Sequence, residues 1–157
     1  LAFIGDGNNV ATSLLFGAAM LDMDFAIATP PGYELPREVW ERGEQLAMES
    51  NSHLSATHDP HQAVADADVV YTDVWASMGQ EDEAEARARA FGPYQLNQSL
   101  LAEAKADAIA MHCLPAHRGQ EITDAVCDGP QSVLWDQAEN RMHAQKAILV
   151  ELMAQKG

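Results

Sequence analysis

The sequence predicts a doubly wound α/β domain, a mostly parallel sheet with helices on both faces. Short apolar runs alternate with longer segments of helical period along the chain, the pattern of repeated strand–helix–strand units joined by right-handed crossovers. Most of the short runs lack strict apolar–polar alternation, as expected of strands covered on both faces. The length of 157 residues and the 47% apolar share are those of one globular domain, large enough to bury about two-thirds of its unfolded surface.

The elements follow in order. Leu1–Ile4 is a strand that runs into the turn Gly5-Asp6-Gly7. Asn8–Leu21 is a helix, with Leu14, Leu15, Ala18, Ala19 and Leu21 on neighbouring rows. Asp24–Ala28 and His53–Thr57 are strands flanking a helix over Arg37–Ser50, and a short helix over Pro60–Val64 comes next. A fourth strand, Asp68–Thr72, precedes helices over Asp82–Phe91 and Ser99–Lys105. Ala108–His112 is the fifth strand, followed by a helix over Gly119–Cys127. Ser132–Trp135 reads as a sixth strand, and Ala138–Met153 as a closing helix with Ala147, Ile148, Leu152 and Met153 at helical spacing. There is no internal repeat and no low-complexity stretch.

Nine Lys and Arg stand against 24 Asp and Glu, a net charge of −15. That balance argues against nucleic acid and against a membrane surface as partners, since both are bound through basic patches. The apolar runs fall short of the ~18 residues of a membrane span. Two cysteines, Cys113 and Cys127, are too few for a disulfide scaffold and suit a reducing, cytoplasmic compartment. The first residues read like the inside of a strand, with no initiator Met and no leader. The chain is therefore expected to be a piece of a longer protein, and any targeting segment would lie in the part not seen.

In such a sheet, ligands bind beyond the carboxyl ends of the strands, so the loops after strands are the places to search. Gly5-Asp6-Gly7-Asn8-Asn9 follows the first strand and opens a helix, whose free N–H groups can face an anion. A dinucleotide fingerprint needs a third glycine where Val10 stands, which disfavours a nicotinamide oxidoreductase. Asn8 and Asn9 are each a helix cap or a ligand contact, with one asparagine surplus to capping. Asp73 sits where the fourth strand emerges, ahead of Trp75, Ser77, Met78 and Gly79. Its carboxylate either holds an ammonium or assists a proton transfer, or it caps the loop while Trp75 plugs the core.

After the fifth strand, His112-Cys113-Leu114-Pro115-Ala116-His117-Arg118 crowds a thiol, two imidazoles and a guanidinium into one turn, with Glu121 close behind. Cys113 is a nucleophile, a proton relay, a ligand or a small buried hydrophobe. The spacing is not that of a zinc site, so no metal is expected. Cys127 has no such company and reads as structural. Arg141 lies near the start of the last helix, the wrong end for a cation in the helix dipole. It needs an anion: Asp136, Glu139 or a ligand phosphate, which arginine clamps well.

Four segments, FIGDGNN at 3–9, TDVWASMGQE at 72–81, HCLPAHRGQEIT at 112–123 and WDQAENRMHAQKA at 135–147, resemble the C-terminal, amino-acid-binding domain of the ornithine carbamoyltransferase family. They occur in family order from the first residue to the last helix. The resemblance implies a Rossmann-like fold and attack of the neutral δ-amine of L-ornithine on carbamoyl phosphate, giving L-citrulline and phosphate. It implies that Asn9, Asp73, Ser77 and the backbone of Met78 hold the α-amino and α-carboxylate groups of ornithine. Cys113 would lie near the attacking amine, hydrogen-bonded towards Asp73. Cys113, the Leu114 carbonyl and Arg141 would reach carbamoyl phosphate, with Leu114-Pro115 in the cis form. No cofactor or metal is implied.

The family's Ser-Thr-Arg-Thr-Arg loop and His-Pro-x-Gln segment belong to a preceding domain, and neither occurs here. The chain is expected to be a half-site, inactive alone, whose intact form is a homotrimer. The other readings are a sister carbamoyltransferase for putrescine or an acylated ornithine, and a stand-alone amino-acid-binding module.

Overall fold

A computed structural model describes residues 1–76 and 83–154. Five strands form one parallel sheet: β1 (Ala2–Ile4), β2 (Phe25–Ala28), β3 (Leu54–Thr57), β4 (Val69–Thr72) and β5 (Ile109–His112). Their spatial order is β3-β2-β1-β4-β5. The chain therefore builds outward from β1 to one edge, then returns and builds to the other, and the order reverses between β1 and β4. Ile4 pairs with Thr72 across that junction, and Thr72 with His112 beyond it. The turn after β1 and the loops after β4 and β5 thus leave the sheet at one level.

Helices α1 (Asn9–Met20), α2 (Arg37–Ser50), α3 (Pro60–Val64), α4 (Ala84–Phe91), α5 (Gln98–Leu101), α6 (Asp124–Cys127) and α7 (Leu134–Ala154) complete the domain. Adjacent strand residues point to opposite faces, and each face has its own core. On one, Phe3, Phe25, Ile27 and Tyr71 pack with Ala11, Leu15 and Ala18 of α1 and with Val39 and Trp40 of α2. On the other, Ala2, Ile4, Val70 and Ala110 pack with Val64, Leu100, Val126 and Leu134. Gly43 lets α2 approach α1, because a Cβ there would stand 2.9 Å from Leu15.

Local chemistry sets the helix starts. The Asn8 side chain accepts from the Val10 and Ala11 N–H groups, Asp59 caps α3 ahead of Pro60, and Asn97 caps α5, each satisfying an otherwise orphan N–H. The five first strands agree with the sequence reading to within one residue. The sixth does not form. Ser132 makes a single bridge to Ala110, and Leu134 already begins α7. Only Leu134 of the apolar trio Val133-Leu134-Trp135 is fully buried, and Trp135 is exposed, so that run serves as a helix docking point. The helices expected over Ser99–Lys105 and Gly119–Cys127 shrink to single turns at Gln98–Leu101 and Asp124–Cys127. No helix among the described residues is long and apolar enough to cross a membrane.

Candidate active site

The site is built around Asp73, the first residue past β4, which is only 7% exposed. A buried carboxylate requires donors, and three converge on it. Its Oδ1 accepts from the Val74 N–H at 2.8 Å and from the Cys113 Sγ–H at 3.0 Å. Its Oδ2 accepts from Asn8 Nδ2 at 2.9 Å. Asn8 therefore acts twice, with its oxygen capping α1 and its nitrogen holding Asp73. The loops after β1, β4 and β5 meet at the point where strand order reverses, the ligand crevice of doubly wound sheets.

Burial pushes the Cys113 thiol up to about 12, and the hydrogen bond to Asp73 adds to the rise. At neutral pH Cys113 is thus a thiol that donates to a carboxylate, not a thiolate. Behind it, the Tyr71 hydroxyl accepts from Gln137 Nε2 at 2.8 Å, while Gln137 Oε1 accepts from the His112 N–H at 3.0 Å. Burial raises the Tyr71 phenol well above its ordinary range, so it too stays protonated.

The turn after β5 is held from within. His112 Nδ1 accepts from the Leu114 N–H at 2.8 Å, and His112 Nε2 lies 3.1 Å from Glu121 Oε1, with both side chains wholly buried. An Nδ1 that accepts carries no proton, so the proton sits on Nε2 and is donated to Glu121. The same Glu121 oxygen accepts from the His117 N–H at 2.6 Å. Within this clamp Leu114 takes a φ of +55° and its bond to Pro115 is cis, the isomer expected from the resemblance. Asp73, His112 and Cys113 bring one ligand atom each within 4.8 Å of one another. Since Leu114 and Glu121 occupy both imidazole nitrogens, this trio could take a metal only by releasing one of those bonds.

The remaining expected residues are placed less centrally. Asn9, first residue of α1, is exposed beside Asn8. Arg141 is exposed on α7, one turn beyond Gln137 and so on the same face. Of the partners open to Arg141, neither Glu139 nor Asp136 pairs with it among the described residues; Glu139 instead faces His143 at 3.5 Å. Arg118 is taken by Asp124 and Asp128 at 2.8 and 2.6 Å. Ser77 and Met78 lie outside the described residues. Cys127 is buried in the core, as its isolation in the sequence implied. Sequence reasoning missed the bond from Asn8 to Asp73, the His112–Glu121 pair and the Gln137 bridge. Each of these residues lies in one of the quoted motifs, but nothing local in the sequence shows which partner it takes.

A family model described as the aspartate/ornithine carbamoyltransferase Asp/Orn binding domain matches residues 1–152. The chain belongs to this family. It is 56% identical over 153 residues to the anabolic ornithine carbamoyltransferase of Pyrococcus furiosus, covering 98% of this chain and 49% of that protein. The solved ornithine carbamoyltransferase from the same organism superposes with a TM-score of 0.90 at 57% identity, over 95% of this chain and 48% of that one. The anabolic enzyme of Campylobacter jejuni gives a TM-score of 0.94 at 38% identity, over 99% and 51%. The chain thus spans about half the length of the carbamoyltransferases it matches.

Proposed function

We propose that this chain is the ornithine-binding half of a carbamoyltransferase that makes L-citrulline and phosphate from L-ornithine and carbamoyl phosphate. The observation that carries the reading is the buried Asp73 carboxylate with Cys113 as a protonated donor beside it. An alkyl ammonium has a pKa of about 10.4 in water, so at neutral pH the δ-amine must lose a proton before it attacks. Its nitrogen then bonds to the carbamoyl carbon, the carbon–oxygen bond to phosphate breaks, and phosphate departs with the electron pair and takes up the second proton that the nitrogen releases. Asp73 is the group suited to accept charge or proton. Cys113 orients the amine and the carboxylate and is not the base.

Asn9, Ser77 and the Met78 backbone complete the contacts to the amino-acid head group in this reading, and the Leu114 carbonyl and Arg141 reach carbamoyl phosphate. No cofactor takes part. Carbamoyl phosphate is a compact anion, and desolvating it needs more positive charge than one arginine supplies. The phosphate cradle therefore belongs to a preceding domain, and the working enzyme is a cytoplasmic homotrimer.

Citrulline formation tests the proposal, measured on the chain alone and on the protein with its preceding domain. Turnover is expected only from the second, with ornithine preferred. Faster carbamoylation of putrescine than of ornithine would overturn the substrate assignment, and turnover by the chain alone would overturn the half-site.

A further inference from the structure

Arg87, in the middle of α4, is the one Lys or Arg that is buried among the described residues. Its guanidinium joins two segments from elsewhere in the chain to the start of its own helix. Nη1 donates to Asp6 Oδ2 at 2.7 Å and to the Trp75 carbonyl at 2.9 Å, and Nε donates to Glu83 Oε2 at 3.0 Å. The Tyr33 ring lies 5.0 Å from the guanidinium carbon. The Arg87 and Asp6 side chains are 8% and 13% exposed, so this pair is shielded from the solvent screening that weakens surface ion pairs.

What these partners hold bears on Asp73. Asp6 lies in the glycine turn, and its carbonyl accepts from the Asn8 N–H at 2.7 Å. Asn8 in turn donates to Asp73. Trp75 is two residues past Asp73 on the other side. Arg87 therefore grips the chain on both flanks of the carboxylate: the turn that carries Asn8, and the backbone that leaves Asp73. We propose that Arg87 is a positioning residue that sets the register of Asp73 against Cys113. A planar fork with fixed donor directions can satisfy these acceptors together, which a lysine ammonium on a flexible stem cannot.

The kinetic consequence rests on the proposed function, but the thiol consequence does not. The experiment compares Arg87→Lys and Arg87→Met with the parent, in the protein at its natural length. Alkylation of Cys113 by iodoacetamide is followed at pH 8.5 by mass mapping, with Cys127 as the internal reference because it is buried in the core. Loosening Asp73 from Cys113 frees the thiolate, so alkylation of Cys113 rises by about tenfold in Arg87→Met and by a smaller factor in Arg87→Lys, while Cys127 stays protected. In the same variants kcat/KM for ornithine falls by about 10- to 100-fold, and KM for carbamoyl phosphate stays within about twofold. If Arg87→Met does not fold, Arg87→Lys decides. A folded variant that alkylates Cys113 at the parent rate overturns the proposal, as does equal acceleration at Cys127, which would mark a general loosening. A faster Cys113 with unchanged ornithine kinetics supports the positioning role and refutes the proposed function.

Discussion

Asp73→Asn isolates what the carboxylate does. Asp73 accepts from three donors: Val74 N–H, Cys113 Sγ–H and Asn8 Nδ2. Asparagine is nearly the same shape but offers one acceptor oxygen, and its amide points two new donors into the ring of donors. Whichever way the amide turns, at least one buried donor loses its partner, which costs about 1–3 kcal/mol. For a domain of this size that lowers Tm by roughly 2–12 °C. The thiol gives the sharper reading. Cys113 is raised from 9.0 to about 12, with burial as the largest cause, and the substitution leaves burial in place. Removing the charge takes away both contributions that Asp73 makes and leaves burial in place, so alkylation of Cys113 at pH 8 accelerates by about tenfold. Timed iodoacetamide labelling with mass mapping measures it, again against Cys127. Unchanged or slower labelling in a folded Asp73→Asn variant would refute the argument that the carboxylate holds this thiol.

Cys113→Ser keeps a donor towards Asp73 and should retain kcat/KM for ornithine within about tenfold. Asp73→Asn should lose on the order of 100-fold or more; citrulline assays across pH 6–9 compare them, and a larger loss for the serine variant would return the role of base to Cys113. Gly7→Ala would put a Cβ 2.5 Å from the Glu34 carbonyl carbon and the Leu35 nitrogen. Backbone must then move, at a cost of at least about 2 kcal/mol, and a melting temperature equal to the parent's would contradict that contact. The folded chain keeps the Cys113 proton between pH 9.0 and about 12, where the unfolded chain has released it. This contribution is present in full below pH 9 and is lost as pH rises through that window. Urea midpoints of parent and Cys113→Ser should therefore converge between pH 8 and 10.5, and parallel curves would count against the raised thiol.

Much of this is legible in the sequence, for a physical reason. Parallel strands buried on both faces leave compact apolar runs, and Asp73 and Cys113 each directly follow one, so chain order alone places both at one sheet edge. Ser132–Trp135 failed because Val133-Leu134-Trp135 has the composition of a strand. A run of three cannot distinguish an alternating period from a helical one, and only packing shows that Leu134 alone is fully buried. Asn8 was half legible: its cap is a local property, whereas its bond to Asp73 spans 65 positions. Arg87 was not legible at all. It sits in an acidic helix start that reads as a solvated face, and its partner Asp6 is 81 residues away. Nothing local distinguishes it from the exposed Arg89 two positions on.

The charges around the site divide the chemistry between this chain and whatever completes it. A carboxylate offers about four acceptor positions, and the protein fills three at Asp73, so one remains for an N–H of an incoming ammonium. Holding the other three fixed orients that last position without further ordering when the ligand arrives, a saving in entropy at the moment of binding. The guanidiniums are arranged differently. Arg87 is consumed by Asp6 and Glu83, and Arg118 by Asp124 and Asp128. Arg141, one turn beyond Gln137, is left without an ion pair among the described residues. A chain carrying a net charge of −15 thus offers a buried carboxylate with one open acceptor position and, near it, one arginine without an ion pair among the described residues. If the proposed function holds, the negative charge that suits Asp73 to an ammonium makes the described residues a poor host for a phosphate, and the cations that bind it come from outside them.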